Sequence, residues 1–147
     1  MESELRISPI IESDLEKIIE LGTTTTEFNT GTTAQQFYYP ETLKRWIADP
    51  NGLTIAARIG QEIVGFALGY YMAGPNDGYL NCIVVNKNHR KIGIGKELLQ
   101  RALSEFKAKG CNHVFGVVES ENIQSIEFFR NNGIEIGREF KYVERMI

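Results

Sequence analysis

Cysteine is scarce in this chain: Cys82 and Cys111 are its only two, too few for a disulfide framework. Neither lies in a C-x-x-C pair, and the two histidines, His89 and His113, have no ligand-like partner spacing, which argues against a metal site. Long apolar runs are missing as well. The opening MESELRISPI has no apolar core of signal-peptide length, and no stretch approaches the length of a membrane span. Nor is there an excess of positive charge. Sixteen Lys and Arg against nineteen Asp and Glu leave a net charge of -3, which argues against nucleic acid as a partner. These absences predict a cytoplasmic protein in a reducing compartment, with no membrane contact.

What is present suits one domain over residues 1–147, 42% hydrophobic and able to bury a core unaided. No repeat or linker divides it. ELRISPI alternates as a strand, Ser13 and Glu16 are spaced as a capping box opening the helix DLEKIIEL, and Gly22 closes it. Residues 23–38 are threonine-rich and aperiodic, open to reading as a polar loop, a weak helix or a substrate lid. Pro40 starts a second helix with Leu43, Trp46 and Ile47 on one face, Trp46 being read as core. LTIAARI and EIVGFALGYYM form a hairpin through Gly60 and Gln61, and YLNCIVV is an apolar strand covered on both faces. Ile94, Leu98, Ala102 and Phe106 mark a long helix ending at Gly110. HVFGVVE reads as a strand, NIQSIEFFRNN as a helix ended by Gly133, and IEIGREFKYVERMI as a final strand pair or one long bent strand. The order predicts an α/β fold, a mixed sheet with helices on its faces.

The segment HRKIGIGKELL joins the apolar strand to the long helix and concentrates Arg90, Lys91 and Lys96 around Gly93 and Gly95. A helix start without side-chain bulk exposes unpaired amides at the positive end of its dipole, so its natural guest is an anion, above all phosphate. The dinucleotide fingerprint fails, because Leu98 stands where its third glycine belongs. The nucleotide P-loop fails too: one residue separates the glycines, and Glu97 follows the lysine. What remains is R-x-x-G-x-G over Arg90, Lys91, Ile92, Gly93, Ile94 and Gly95.

That turn resembles the pyrophosphate-binding motif of the GCN5-related N-acetyltransferase (GNAT) superfamily. NIQSIEFFRNNGI is similar to the superfamily's second motif, and the order of elements agrees over nearly the whole chain. The resemblance implies a GNAT-like, mostly antiparallel mixed sheet with a splayed central strand pair, and acetyl-coenzyme A as co-substrate without a metal. It implies acetyl transfer to a primary amine of a small molecule or peptide N-terminus, by direct attack in a ternary complex. By position it places the pyrophosphate on Arg90 through Lys96, the pantetheine arm along Ile83, Val84 and Val85, and a further coenzyme contact on Asn122, which also reads as a plain N-cap. The acceptor would enter past Phe28, Phe37, Tyr38 and Tyr39, with Tyr70, Tyr71 and Tyr142 as further rim. A homodimer is compatible with the sequence.

Two departures from the superfamily pattern bear on chemistry. The usual proton-donating tyrosine is replaced by Phe129, and the usual acidic positions hold Asn81 and Val117. The first reading is catalysis by proximity and oxyanion stabilisation, with water carrying protons. Glu119, two residues past Val117 and on the same strand face, is a stand-in base or a solvent-facing strand end. A non-catalytic acyl-coenzyme sensor is the alternative. Cys82 is read as core rather than as a nucleophile.

Overall fold

The computed structural model describes residues 3–25, 37–145 and 147. Phe28 and most of the threonine-rich stretch, with its lid reading, lie outside the described residues. Five strands make one sheet: β1 (Leu5–Pro9), β2 (Gly52–Ile59), β3 (Glu62–Met72), β4 (Asp77–Val85) and β5 (His113–Phe115), in spatial order β1-β2-β3-β4-β5. Neighbours pair antiparallel except β4 and β5, which run parallel. The helices are α1 (Leu15–Thr23), α2 (Pro40–Ala48), α3 (Ile94–Ala108) and α4 (Ile123–Asn131).

Both sheet faces are covered because β2 and β3 are apolar on both. One face buries Leu53, Ile55, Val64 and Ala67 against Ile94, Leu98, Ala102 and Phe106 of α3. The other buries Ala56, Ile63, Phe66 and Leu68 against Ile18 and Leu21 of α1 and Leu43 of α2. Each fully buried Leu, Ile or Phe contributes roughly 1.5–3 kcal/mol of transfer free energy, so the three helices are held mainly by these stripes.

Capping at α1 differs from the Ser13–Glu16 expectation. Asp14 does the work instead: its Oδ2 accepts the Ile11 N–H at 2.8 Å, across a short 3-10 turn over Glu12–Asp14. The same carboxylate takes both terminal nitrogens of Arg58, at 2.9 and 2.6 Å. Arg58 Nε also donates to Ser8 Oγ at 2.8 Å, so one guanidinium ties β1, β2 and the entry to α1 together. The Arg58 hydrogen bonds hold the Asp14 carboxyl below its ordinary value. Gly22 does not end the helix, which runs on through Thr23. A Cβ at Gly22 would lie 2.4 Å from the Phe37 ring, so the glycine is there for close packing.

The C-terminal third departs most from the sequence reading. HVFGVVE is strand only over His113–Phe115, and no strand is formed among the described residues beyond it. Phe140, Tyr142 and Val143 alternate or cluster as a strand would, yet are exposed. Strand propensity describes a half-buried pleated surface, and here no neighbouring strand supplies one.

Candidate functional site

A bulge in β4 shapes the centre of the molecule. Leu68 pairs with Cys82 but Gly69 with Leu80, which leaves Asn81 as the extra residue. β5 then pairs with only Asp77, Gly78 and Tyr79. The ladder ends there, with Gly116 still lying against the Leu80 carbonyl, and beyond it β4 has a strand partner on one side only among the described residues, leaving a gap alongside its C-terminal half. The Asn86 N–H donates to the Val64 carbonyl at 2.8 Å, so strand alternation turns the Val84 polar groups toward β3 and those of Ile83 and Val85 into the gap. Val84 is also 2% exposed. Of the three positions assigned to a pantetheine arm, Ile83 and Val85 therefore offer backbone groups, whereas Val84 is turned into the sheet. The Val85 carbonyl already accepts from Arg90 Nε at 3.2 Å, which leaves its N–H facing outward.

At the open end of the gap the chain makes its glycine turn. Lys91 and Gly93 take left-handed backbone conformations, with φ of 64° and 92°. No side chain caps α3, and its first backbone bond runs from the Glu97 N–H to the Gly93 carbonyl at 3.0 Å. The amides of Ile94, Gly95 and Lys96 precede that bond and lie at the positive end of the helix dipole. Around them are exposed Lys91, Ile92 and Lys96, while the Ile94 side chain is buried in the α3 core. A Cβ on Gly95 would stand 3.2 Å from the Phe128 ring, so the turn packs closely behind the amides and opens in front of them. His89 Nδ1, just before the turn, is buried with no partner among the described residues. Outward amides and two positive-φ residues fit a multiply charged phosphate ester such as the diphosphate of coenzyme A.

Helix α4 flanks this turn. Asn122 caps it, its Oδ1 accepting the Ser125 N–H at 3.1 Å. Phe129 packs partly buried on the α3-side core, edge to face with Phe128 at 5.2 Å. Glu119 is not on a strand, since β5 stops at Phe115. It sits exposed in the turn entering α4, its carbonyl accepting the Asn122 N–H at 3.0 Å, so the alternation that put it on the face of Val117 does not apply.

The bulge end is built differently. Asn81 Nδ2 donates to the Tyr38 hydroxyl oxygen. Tyr38 stands edge to face with Phe37 at 5.4 Å and with Trp46 at 5.2 Å. Trp46 Nε1 donates to the Gly69 carbonyl at 2.8 Å, at the β3 residue where the register shifts. Two aromatic residues, Tyr38 just ahead of α2 and Trp46 in its last turn, thus converge on the bulge. Burial pushes the Tyr38 phenol up to about 12 and the Cys82 thiol up to about 12, so both hold their protons at neutral pH. For Cys82 that matches a core residue, not a nucleophile. Tyr70 hydrogen-bonds the Asp49 carboxylate, and the Tyr71 hydroxyl donates to Asn76 Oδ1 at 2.8 Å, in the β3–β4 turn. The sequence put Tyr38 on the acceptor rim and took Trp46 as core; their meeting with Asn81 and Gly69 had no local signal beyond the aromatic run ahead of Pro40.

Residues 16–134 match the model of the acetyltransferase (GNAT) family. The chain belongs to that family. Solved structures agree in fold. PaiA N-acetyltransferase from Thermoplasma acidophilum, in complex with coenzyme A, superposes with a TM-score of 0.80 at 22% identity, over 91% of this chain and 91% of that one. A transcriptional regulator from Bacillus halodurans C-125 reaches 0.82 at 19% identity, over 97% and 100%. An aminoglycoside acetyltransferase from an uncultured soil metagenomic sample, in complex with sisomicin, reaches 0.77 at 21%, over 97% and 96%. The five-stranded mixed sheet with its parallel pair is thus the GNAT fold, and this member is an acetyltransferase. Among the described residues no helix is long and apolar enough to cross a membrane, and no cluster of His, Cys, Asp and Glu could hold a metal ion.

Proposed function

We propose that this chain, as one domain over residues 1–147, moves an acetyl group from acetyl-coenzyme A to a primary amine of a small molecule or a peptide N-terminus by direct attack in a ternary complex. The observation that carries this reading is the gap alongside the C-terminal half of β4, which ends at an uncapped glycine turn: a groove lined with backbone donors, closed by an anion-binding helix start. Family membership and the coenzyme A held by the Thermoplasma neighbour support it.

The amides of Ile94, Gly95 and Lys96 would hold the diphosphate, with Arg90, Lys91, Ile92 and Gly93 shaping the turn and adding charge. Hydrogen bonds to charged groups contribute about 1.5–3 kcal/mol each, whereas a solvated ion pair contributes about 0–1, so the backbone outweighs the lysines. Bound acetyl-coenzyme A supplies an activated thioester. The Ile83 and Val85 N–H groups, turned into the gap, pair with the pantetheine arm as an added strand would, and Ile83 is the donor offered to the thioester carbonyl as negative charge develops. Asn122 adds a contact from the start of α4. Phe129 offers no proton to the departing thiolate, so water carries that step. Glu119, exposed in its turn and off the strand face that recommended it as a base, leaves the amine to shed its proton to water, and Asn81 orients the amine. Orientation alone can supply roughly 7–11 kcal/mol of the barrier, more than the about 10²–10⁴-fold of general acid–base help.

The test is calorimetric titration with acetyl-coenzyme A, followed by thiol release across amines, amino acids and short peptides. Binding with amine-accelerated release and an alkaline optimum is expected, because an unassisted amine must shed its own proton. Tight binding with no accelerated release from any acceptor class would leave an acyl-coenzyme sensor.

A further inference from the structure

We propose that Tyr38 and Asn81 form an amine-orienting pair that selects monoamines with an aromatic or apolar body over polycations. This deepens the reading above and rests on it. Asn81 is the extra residue of the β4 bulge, where the sheet opens, and its Nδ2 is committed to the Tyr38 oxygen. That bond fixes the carboxamide plane. It leaves Asn81 Oδ1 to accept an N–H from the incoming amine and the Tyr38 proton to be donated onward. The amine lone pair then remains directed at the carbonyl it attacks.

The surroundings decide what else the substrate can carry. Cys82, Tyr79 and Tyr142 are the titratable groups whose charges act on Tyr38, and none is a carboxylate. Burial lifts both Cys82, to about 12, and Tyr79, so neither offers an anion at neutral pH. Phe37, Tyr38 and Trp46 meet edge to face, so part of their ring faces is already covered by a neighbouring ring edge. A second or third ammonium brought beside Tyr38 would lose water, and among the described residues the carboxylate linked to this cluster, Asp49, is already held by the Tyr70 hydroxyl. An aromatic or apolar body would instead extend the existing cluster. The chemistry of the pair is thus that of a neutral amine held by hydrogen bonds.

Trp46 is the only tryptophan and lies 5.2 Å from the Tyr38 ring, so its emission reports occupancy without turnover. The full chain saturated with coenzyme A is titrated with 2-phenylethylamine, spermidine and sisomicin, and thiol release from acetyl-coenzyme A is measured with the same three. Phenylethylamine is expected to perturb Trp46 emission and to show a kcat/KM roughly tenfold above either polycation, the cost of unpaired charge at a half-buried site. Tyr38→Phe should raise its KM about fivefold, the worth of one hydrogen bond, and leave the affinity for acetyl-coenzyme A unchanged. Asn81→Asp should move the preference toward spermidine. Spermidine or sisomicin acting as the better acceptor of the unaltered chain, or Tyr38→Phe leaving KM and emission alone, overturns the pair. Failure of the unaltered chain to bind acetyl-coenzyme A strikes the proposed function instead.

Discussion

The two ends of the gap alongside β4 are made of different material. At the glycine turn the working groups are backbone amides, placed by two positive-φ residues and a helix start that no side chain caps. At the bulge they are side chains, Asn81 and Tyr38, braced by Trp46 on the Gly69 carbonyl. A backbone cradle suits a guest that never changes, since any residue supplies the same N–H. A side-chain cluster suits a guest that differs from one relative to the next, since a single substitution re-specifies it. The contrast teaches which changes abolish binding and which only redirect it.

The largest effect should come from neither end but from the β1–β2 edge of the frame. Asp14→Ala leaves Arg58, its side chain only 12% exposed, without its carboxylate. A loss of about 3–5 kcal/mol is expected by chemical denaturation, the cost of breaking a buried pair from one side. Because the Arg58 hydrogen bonds depress the Asp14 carboxyl in the folded state, this stabilisation is complete above the ordinary value of 3.8 and is lost as pH falls below it through the folded value. Asp14→Asn should therefore flatten the acid limb of the stability profile; an unchanged limb would show that the pair does not govern it.

Next is the cradle. Gly95→Val drives methyls toward the Phe128 ring, already 3.2 Å from a notional Cβ, and displaces the turn. Acetyl-coenzyme A affinity should fall about a hundredfold, the loss of one or two charge-assisted hydrogen bonds. Lys91→Ala, which removes a solvated cation, should cost only about twofold to fivefold. Calorimetry on both variants sharpens the comparison, and a larger loss for the lysine variant breaks it, because the turn would then bind through side chains as the bulge does.

Smallest is Phe129→Tyr. Phe129 packs against the α3-side core and Phe128, so a hydroxyl there gains no partner and costs about 1–3 kcal/mol. Thermal unfolding should drop while single-turnover thiol release is unchanged. A faster release at equal stability would show instead that the position still faces the thiolate.

Local rules were enough for much of this protein. The four helices, the hairpin and the glycine turn are written in periodicity, turn residues and spacing, which act within a few residues and survive without tertiary context. R-x-x-G-x-G was legible for the same reason: an exposed helix start is a local object. Tertiary structure alone decided the rest. It replaced Ser13 with Asp14 as the group that bonds back across the turn into α1, because Arg58 arrives from β2 to share its carboxylate. It gave Gly22, inside α1, a packing role, because the Phe37 ring lies where a side chain would stand. It cut HVFGVVE to three residues and left IEIGREFKYVERMI without a ladder, because strands exist only through partners remote in sequence. Asn81 met Tyr38, residues far apart in the chain, only because a one-residue bulge turned the first toward the start of α2, and no pattern within either segment encodes that meeting.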